Sequence, residues 1–196
     1  MSKIITHLGI CIGLLFAEDL VFRSHAKLTP WYANSTKFGF AAPKLYGATI
    51  FINVVVSAFV LMMLGGKVGS ARKRFAEEAK KDGDKDAELM FALPKMQAEG
   101  YSERAKLFNC VQRGHQQALE SYQMFLALSM LGGIQYPAAC AIAGIIFCYS
   151  RLKWAEGYAT GNPGSRYDHW ASFGIWGSLL TVLFATGATA VKMLLE

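Results

Sequence analysis

Residues 45–66 read LYGATIFINVVVSAFVLMMLGG, a run of 22 residues that contains no charged side chain. A helix needs about 20 consecutive apolar residues to cross the hydrocarbon core of a bilayer. Lys44 precedes the run and Lys67 follows it, so charges stand at both ends. This stretch predicts a transmembrane helix, and it places the chain among the integral membrane proteins.

Three more transmembrane helices are predicted downstream. Thirty uncharged residues separate Glu120 from Arg151, and a Gly-Gly pair followed by a proline divides them into two pieces. We therefore expect a second helix over residues 105–131 and a third over residues 138–158, as antiparallel neighbours because the linker is short. The uncharged run over residues 170–191, with tryptophans suited to the membrane interface, predicts the fourth. The expected fold is an all-α membrane protein built on a four-transmembrane-helix bundle.

Residues 1–44 form an N-terminal extension in front of this bundle, which would occupy residues 45–196. The apolar stretch of the extension, residues 4–22, carries a histidine and the acidic pair Glu18 and Asp19. It predicts an extra helical segment that spans the membrane, lies at its surface or docks on a partner. The extension lacks the Arg-rich, acid-poor composition of a transit peptide. This favours the endoplasmic reticulum, with a mitochondrial membrane as the alternative.

Charged residues make up only 17% of the chain and are unevenly distributed. Half of the 20 Lys and Arg residues, and more than half of the 14 Asp and Glu residues, lie between Lys67 and Lys106. Residues 73–90, KRFAEEAKKDGDKDAELM, have helical propensity and Glu-to-Lys spacing. The charged loop at residues 67–104 is therefore predicted to continue the first span as a solvated helix, on the cytosolic side. The net charge of +6 does not indicate nucleic acid, because no nucleic-acid motif accompanies it.

The four cysteines are Cys11, Cys110, Cys140 and Cys148, and all lie in apolar stretches. They form neither a CxxC pair nor a set with zinc-ligand spacing. We expect free thiols and no metal site.

The second predicted helix carries the polar residues that indicate a site. Its sequence over residues 109–122 is NCVQRGHQQALESY. At 100° per residue, four polar residues fall on one narrow stripe of this helix: Asn109, Arg113, Gln116 and Glu120. Gln112 and Gln117 lie at the borders of the stripe. An Arg and a Glu inside a membrane helix are costly unless they are satisfied. Two interpretations stay open: an internal Arg113–Glu120 ion pair that locks the bundle, or a ligand site.

The third predicted helix ends with polar and aromatic side chains on one face. Arg151, Trp154 and Tyr158 are spaced three and four residues apart, so they share that face. Tyr158 either donates a hydrogen bond into a site or anchors the membrane interface. Arg166 follows an Asn-Pro-Gly turn, where a cation could face the mouth of a cavity.

Three segments resemble a known family. They are SARK at residues 70–73, FNCVQRGHQQALE at residues 108–120 and GYATGNPGSR at residues 157–166. From about Tyr46 to the C-terminus, the sequence resembles the MAPEG superfamily, the membrane-associated proteins in eicosanoid and glutathione metabolism. It is most similar to the type 3 microsomal glutathione transferases.

The resemblance implies a homotrimer of four-helix subunits that holds glutathione, its co-substrate, between neighbouring subunits. Carried over residue by residue, Arg72 and Arg113 would bind the glutathione carboxylates. Gln117 and Glu120 would hold its amide and amino groups, and Tyr158 would contact the peptide. Arginine binds a carboxylate through two parallel hydrogen bonds, so this set suits a ligand that has two carboxylates.

Arg166 is the residue that the resemblance assigns to catalysis. It would face the glutathione thiol, and a nearby guanidinium stabilises a thiolate and lowers the thiol pKa. The thiolate would then attack a lipophilic electrophile or reduce a lipid hydroperoxide at the membrane edge. The expected activity is that of a glutathione transferase or peroxidase, with membrane lipid and a lipophilic small molecule as its other partners.

Departures from the family pattern support a different function. Gln117 stands where the family has Asn, and Trp154 stands where a Tyr is expected. The loop between the first two helices carries an insertion, and the extension precedes the first span. The alternative is a non-catalytic structural subunit of a larger membrane protein complex.

Overall fold

The structure is a computed structural model that describes residues 2–35, 42–91 and 95–195. It is 81% helical, which confirms the predicted all-α class. Among the described residues, the extended segments are the two-residue strands β1 (Asn34–Ser35) and β2 (Ala42–Pro43), which pair antiparallel.

The described residues form eight α-helices, and π-helical or 3₁₀ segments adjoin several of them. In the N-terminal part they are α1 (Ser2–Ala17), followed by a π-helical turn at Glu18–Phe22, and α2 (Thr29–Tyr32). The next continuous run comprises α3 (Tyr46–Ile50), a π-helical segment at Phe51–Val56 and α4 (Ser57–Lys81), and the short α5 (Ala87–Phe91) follows it. The last three are α6 (Glu103–Gly133), α7 (Pro137–Tyr158) and α8 (Gly174–Leu195), with 3₁₀ turns at Pro163–Tyr167 and Trp170–Phe173.

Three of these helical runs are long and apolar enough to cross a membrane. They are Tyr46–Lys81, Pro137–Tyr158 and Trp170–Leu195. They confirm an integral membrane protein and match the first, third and fourth predicted spans. Helix α6 has the length of a span, but its charged and amide side chains keep its hydropathy low. The count of four spans therefore stays a prediction.

Helix α4 continues well past the predicted first span and ends at a glycine. Gly83 has a positive φ of 81°, which favours glycine because a β-carbon is strained there. The Gly83 amide donates to the Lys80 carbonyl at 3.0 Å, and the Asp84 amide donates to the Ala79 carbonyl at 3.1 Å. This pair of bonds is the Schellman motif, which satisfies carbonyls at the end of a helix.

The chain divides into two compact units. The first comprises Met1–Ala58, Tyr122–Ser150 and Phe173–Glu196. The second comprises Phe59–Ser121 and Arg151–Ser172. Each unit has its own kind of packing.

In the first unit, helices are held by small residues and by polar side chains that bond to backbone. Asn53 donates to the Cys140 carbonyl at 3.0 Å, and Thr49 donates to the Pro137 carbonyl at 2.9 Å. A β-carbon added at Gly132 would lie 2.9 Å from the Thr186 amide nitrogen, so only glycine fits there. Close backbone approach and interhelical hydrogen bonds are the usual means by which membrane helices associate.

We expect Gly132→Ala to destabilise the protein by about 1–3 kcal/mol, because the new methyl group must push α8 away. Gly187→Ala is the matched control, since a β-carbon at Gly187 meets nothing within 4 Å. Unfolding in detergent should show a lower midpoint for the first variant and an unchanged or higher one for the second. Equal midpoints would contradict this close helix contact.

In the second unit, the charged loop is folded onto an aromatic core. The Phe91 ring lies 6.0 Å from Phe75 and 5.5 Å from Phe108, measured between ring centroids. Val68 and Ala79, on the same face of α4 as Phe75, are buried in this cluster. The predicted solvated helix therefore has one buried face. The strong charge pattern of residues 67–104 masked the apolar positions that recur every three or four residues.

Candidate functional site

The polar stripe on α6 forms the predicted ion pair. Arg113 Nη1 donates to Glu120 Oε1 at 2.7 Å, across two helical turns. Both side chains keep between 40% and 50% of their surface exposed. An exposed pair contributes only about 0–1 kcal/mol to stability in water. The pair is thus present, but its partners remain accessible for exchange with a charged ligand.

A groove of about 640 Å³ runs along the N-terminal half of α6. Its size is within the range of small-molecule sites, roughly 300–1,000 Å³. It is lined by side chains of α6 and of the preceding loop, namely Met96, Gln97, Tyr101, Lys106, Asn109, Cys110, Gln112, Arg113 and Gln116, together with Gly100. Gln112 Oε1 is buried and has no hydrogen-bond partner within the described residues. The lining therefore includes two cations, Lys106 and Arg113, and a glutamine whose buried oxygen has no partner among the described residues.

Gln117 is held by an arginine that the sequence analysis did not assign to the site. Arg151 on α7 is 1% exposed and donates to Gln117 Oε1 and to Ser121 Oγ. A cation buried in an otherwise apolar helix is a strong sign of a functional or positioning role. In the sequence, Arg151 ends an uncharged run and shares a helix face with Trp154 and Tyr158, and its charge in this apolar stretch is the local sign of a buried contact.

Arg72 lies on α4 and binds the end of the charged loop. Its guanidinium donates to the Phe91 carbonyl at 2.8 Å and to the Lys95 carbonyl at 2.9 Å. The same group lies 4.8 Å from the Phe108 ring centroid. Arg72 therefore has a structural role in this arrangement, whatever ligand contact it also makes.

Tyr158 and Arg166 are brought together by the turn after α7. The Arg166 guanidinium lies 5.5 Å from the Tyr158 ring centroid, and the Tyr158 ring packs on Trp154 at 4.8 Å. Asn162 accepts a hydrogen bond from the Gly164 amide at 3.0 Å and so caps the 3₁₀ turn that carries Arg166. A β-carbon at Gly157 would overlap the Ser165 carbonyl oxygen. The GYATGNPGSR segment is thus one structural unit that needs glycine at its start.

Of the six predicted site residues, the structure joins Arg113 to Glu120 and Tyr158 to Arg166. It holds Gln117 through Arg151 and holds Arg72 on the loop carbonyls. Arg113 is the predicted residue that lines the α6 groove. His115 faces α4, with its Nε2 at 3.4 Å from the position that a β-carbon on Gly65 would occupy.

The family comparison covers most of the helices described above. The model of the MAPEG family matches residues 50–191, which is more than half of the chain. The matched range contains α4, α6, α7 and most of α8, whereas α1 and α2 lie outside it. Members of this family generally bind glutathione and are trimeric, and the family includes transferases, peroxidases and non-catalytic proteins. The chain belongs to the MAPEG family.

Proposed function

We propose that this protein is a glutathione-dependent transferase or peroxidase of the type 3 microsomal kind, acting on lipophilic electrophiles or lipid hydroperoxides. The observation that carries the proposal is the groove beside α6, whose lining includes both Arg113 and Gln112. The second substrate would reach the site from the bilayer. The enzyme would act as a homotrimer in the endoplasmic reticulum, with a mitochondrial membrane as the alternative.

The charges beside α6 complement those of glutathione. The γ-glutamyl end of glutathione carries an ammonium and a carboxylate, so it can replace both partners of the Arg113–Glu120 pair. Arg113 would take the carboxylate and Glu120 would take the ammonium, which exchanges one ion pair for two. The buried Gln112 oxygen would accept a peptide N–H, which removes the cost of leaving it unpaired. Arg72 is proposed for the second carboxylate, and Gln117 for an amide.

Arg166 and Tyr158 supply the proposed chemistry at the thiol. A free thiol of pKa about 8.5 is mostly protonated at neutral pH. The Arg166 guanidinium would stabilise the thiolate, and the Tyr158 hydroxyl would contact the peptide. In the transferase reaction the thiolate sulfur forms a bond to the electrophilic carbon, and the leaving group departs with its electron pair. In the peroxidase reaction, the thiolate sulfur attacks the hydroperoxide, the O–O bond breaks, and the alcohol leaves after taking up a proton. A second glutathione thiol then reduces the resulting sulfenic acid, which releases water and leaves the two glutathiones joined by a disulfide.

One observation favours a second function, that of a non-catalytic subunit in a larger membrane complex. The chain itself already provides partners for the polar groups that would bind glutathione. Glu120 pairs with Arg113, Arg151 donates to Gln117, and loop carbonyls accept from Arg72. These internal contacts are sufficient for a structural subunit that binds no glutathione. The N-terminal extension would supply additional docking surface.

Thermal unfolding with and without glutathione separates the two functions. A ligand at 100 times its Kd stabilises a protein by about 2.7 kcal/mol, so millimolar glutathione should raise the unfolding midpoint in detergent. Arg113→Ala should remove most of this increase. Its stability without glutathione should change little, because the ion pair that it breaks is half exposed.

Arg74→Ala is the control, since Arg74 is an exposed arginine that pairs with Glu78 on α4. It should keep the full glutathione effect. If the parent protein shows no glutathione effect and co-purifies in fixed ratio with other subunits, the enzymatic proposal fails and the scaffold is supported.

A further inference from the structure

The N-terminal helical run, α1 with the π-helical turn that follows it, has the length of a membrane span, although it lies outside the range that the family model matches. Ser2–Ala17 and the π-helical turn Glu18–Phe22 form one continuous helical run. At about 1.5 Å per residue this run is about 30 Å long, equal to the hydrocarbon thickness of a typical bilayer. Its stretch from Ile4 to Ala17 contains no Asp, Glu, Lys or Arg.

The inner face of α1 packs along α8, which belongs to a membrane-spanning run. The Cys11 thiol donates to the Gly177 carbonyl at 3.2 Å and accepts from the Thr181 hydroxyl at 2.9 Å. Eight residues further along, Asp19 pairs with Lys192 at 3.0 Å. From the first of these contacts to the second, the residue number increases in both helices. Helices α1 and α8 therefore run parallel. Helix α1 therefore follows α8 through the depth of the bilayer and does not cross its end.

The C-terminal end of the helical run is fastened to α7, which is also a membrane-spanning helix. Glu18 is fully buried, and its carboxylate accepts from the Ala138 amide at 2.8 Å and from the Ala139 amide at 2.7 Å. The first amides of a helix have no partner within that helix, and they carry its positive dipole end. Glu18 thus caps α7 and fixes the end of α1 at the depth where α7 begins.

Tyr32 closes this cap from the other side. Its hydroxyl donates to Glu18 Oε1 at 3.0 Å. Burial, with the neighbouring Glu18 carboxylate, raises the pKa of Tyr32, so the phenol keeps the proton that it donates. Arg23 pairs with Asp19 at 3.3 Å and lies 5.2 Å from the Tyr32 ring centroid. Charged and aromatic residues of this kind mark the interface end of a membrane helix.

The outer face of α1 is apolar and exposed. Ile10 and Phe16 keep 63% and 65% of their surface exposed, and Ile12 and Leu20 are also exposed. Helix α8, on which α1 packs, exposes Trp176 and other large apolar side chains in the same way. Large exposed apolar side chains on both helices of a packed pair are typical of lipid contact, because acyl chains cover such surfaces and need no polar partners there.

We propose that α1, together with the π-helical turn that continues it, is a further membrane-spanning helix in addition to the predicted bundle, and that its outer face of Ile10, Ile12, Phe16 and Leu20 contacts lipid acyl chains. The two ends of α1 then lie on opposite sides of the membrane. The inference is independent of the glutathione chemistry and holds for an enzyme and for a scaffold.

Cysteine labelling tests the crossing. Ser2→Cys and Ser24→Cys place a thiol at each end of the run, in sealed membrane vesicles of one orientation. An impermeant maleimide should label one variant directly and the other only after permeabilisation. The parent protein is the control, since its four cysteines are buried and should stay unlabelled. Labelling of both variants from the same side would overturn the proposal.

A spin label on Phe16→Cys tests what covers the outer face. In lipid, its relaxation should respond strongly to dissolved oxygen and weakly to a water-soluble nickel complex, whereas Ser24→Cys should show the reverse. A strong nickel response at residue 16 would place α1 at the membrane surface. Protection from both reagents would mean that a protein partner covers the face. Either result would overturn the assignment to lipid.

Discussion

Replacing Arg166 by alanine should abolish the thiolate absorbance of bound glutathione and lower turnover by about 100-fold to 1,000-fold, the usual effect of removing one group that stabilises a developing anion. The reason is electrostatic, because the thiolate loses the guanidinium that offsets its charge. Binding should be largely retained, since the proposed contacts to the carboxylates lie elsewhere, at Arg113 and Arg72. Turnover and the glutathione-dependent unfolding midpoint, measured on the same sample, separate the two effects.

The pH dependence gives a second check on Arg166. Under the proposed function, the Arg166 guanidinium ionises the bound thiol near neutral pH in the parent protein, so its turnover should change little as the pH rises. In Arg166→Ala the thiol pKa returns toward about 8.5, and residual turnover should therefore increase with pH through that value. Arg166→Lys keeps the charge but loses the planar guanidinium, so it should restore part of the rate. Unchanged turnover in Arg166→Ala would exclude Arg166 as the catalytic residue.

The sequence predicts the positions of the long helices well because charges and helix breakers mark their ends. The predicted 105–131 and 138–158 correspond to Glu103–Gly133 and Pro137–Tyr158 in the structure. The predicted first span, residues 45–66, corresponds to the N-terminal part of Tyr46–Lys81 and begins one residue before it. Hydropathy and helix breakers carry this information locally, within the segment that they describe.

The partners of polar side chains could not be predicted, because they depend on contacts between distant segments. Periodicity placed Arg113 and Glu120 on one stripe, and the structure pairs them. No periodicity indicated that Arg151 would reach Gln117, 34 residues earlier, or that Glu18 would cap a helix 120 residues later. Both contacts involve buried charges, and a charged residue in an apolar stretch is the one local sign that such a contact exists.

The N-terminal extension illustrates the same limit. From sequence, residues 4–22 were equally compatible with a span, a surface helix or a docking segment, since an apolar helix with two acids at its end suits all three. In the structure, the partners of the two acidic residues show that this segment packs on the membrane helices. Glu18 and Asp19 are each matched by groups of the membrane helices, so the segment is built into the first unit.

Replacing Glu18 by alanine should be the most destabilising change in the extension. It leaves the Ala138 and Ala139 amides and the Tyr32 hydroxyl without their buried acceptor. Hydrogen bonds to a charged group contribute about 1.5–3 kcal/mol each, but part of the loss of these three is offset because the alanine variant no longer buries a charge. We therefore expect a net loss of about 3 kcal/mol in the free energy of unfolding. Unfolding in detergent, followed by helical signal, measures this loss.

Two further variants test whether the loss of stability comes from the hydrogen bonds by which Glu18 caps α7. Glu18→Gln keeps one acceptor oxygen but removes the charge that faces the positive end of α7, so its stability should fall between those of the parent and the alanine variant. Glu77→Ala removes an exposed glutamate from α4 and should change the free energy of unfolding by less than about 0.5 kcal/mol. If Glu18→Ala is as stable as Glu77→Ala, the carboxylate does not cap α7, and the extension must be held by its apolar contacts with α8 alone.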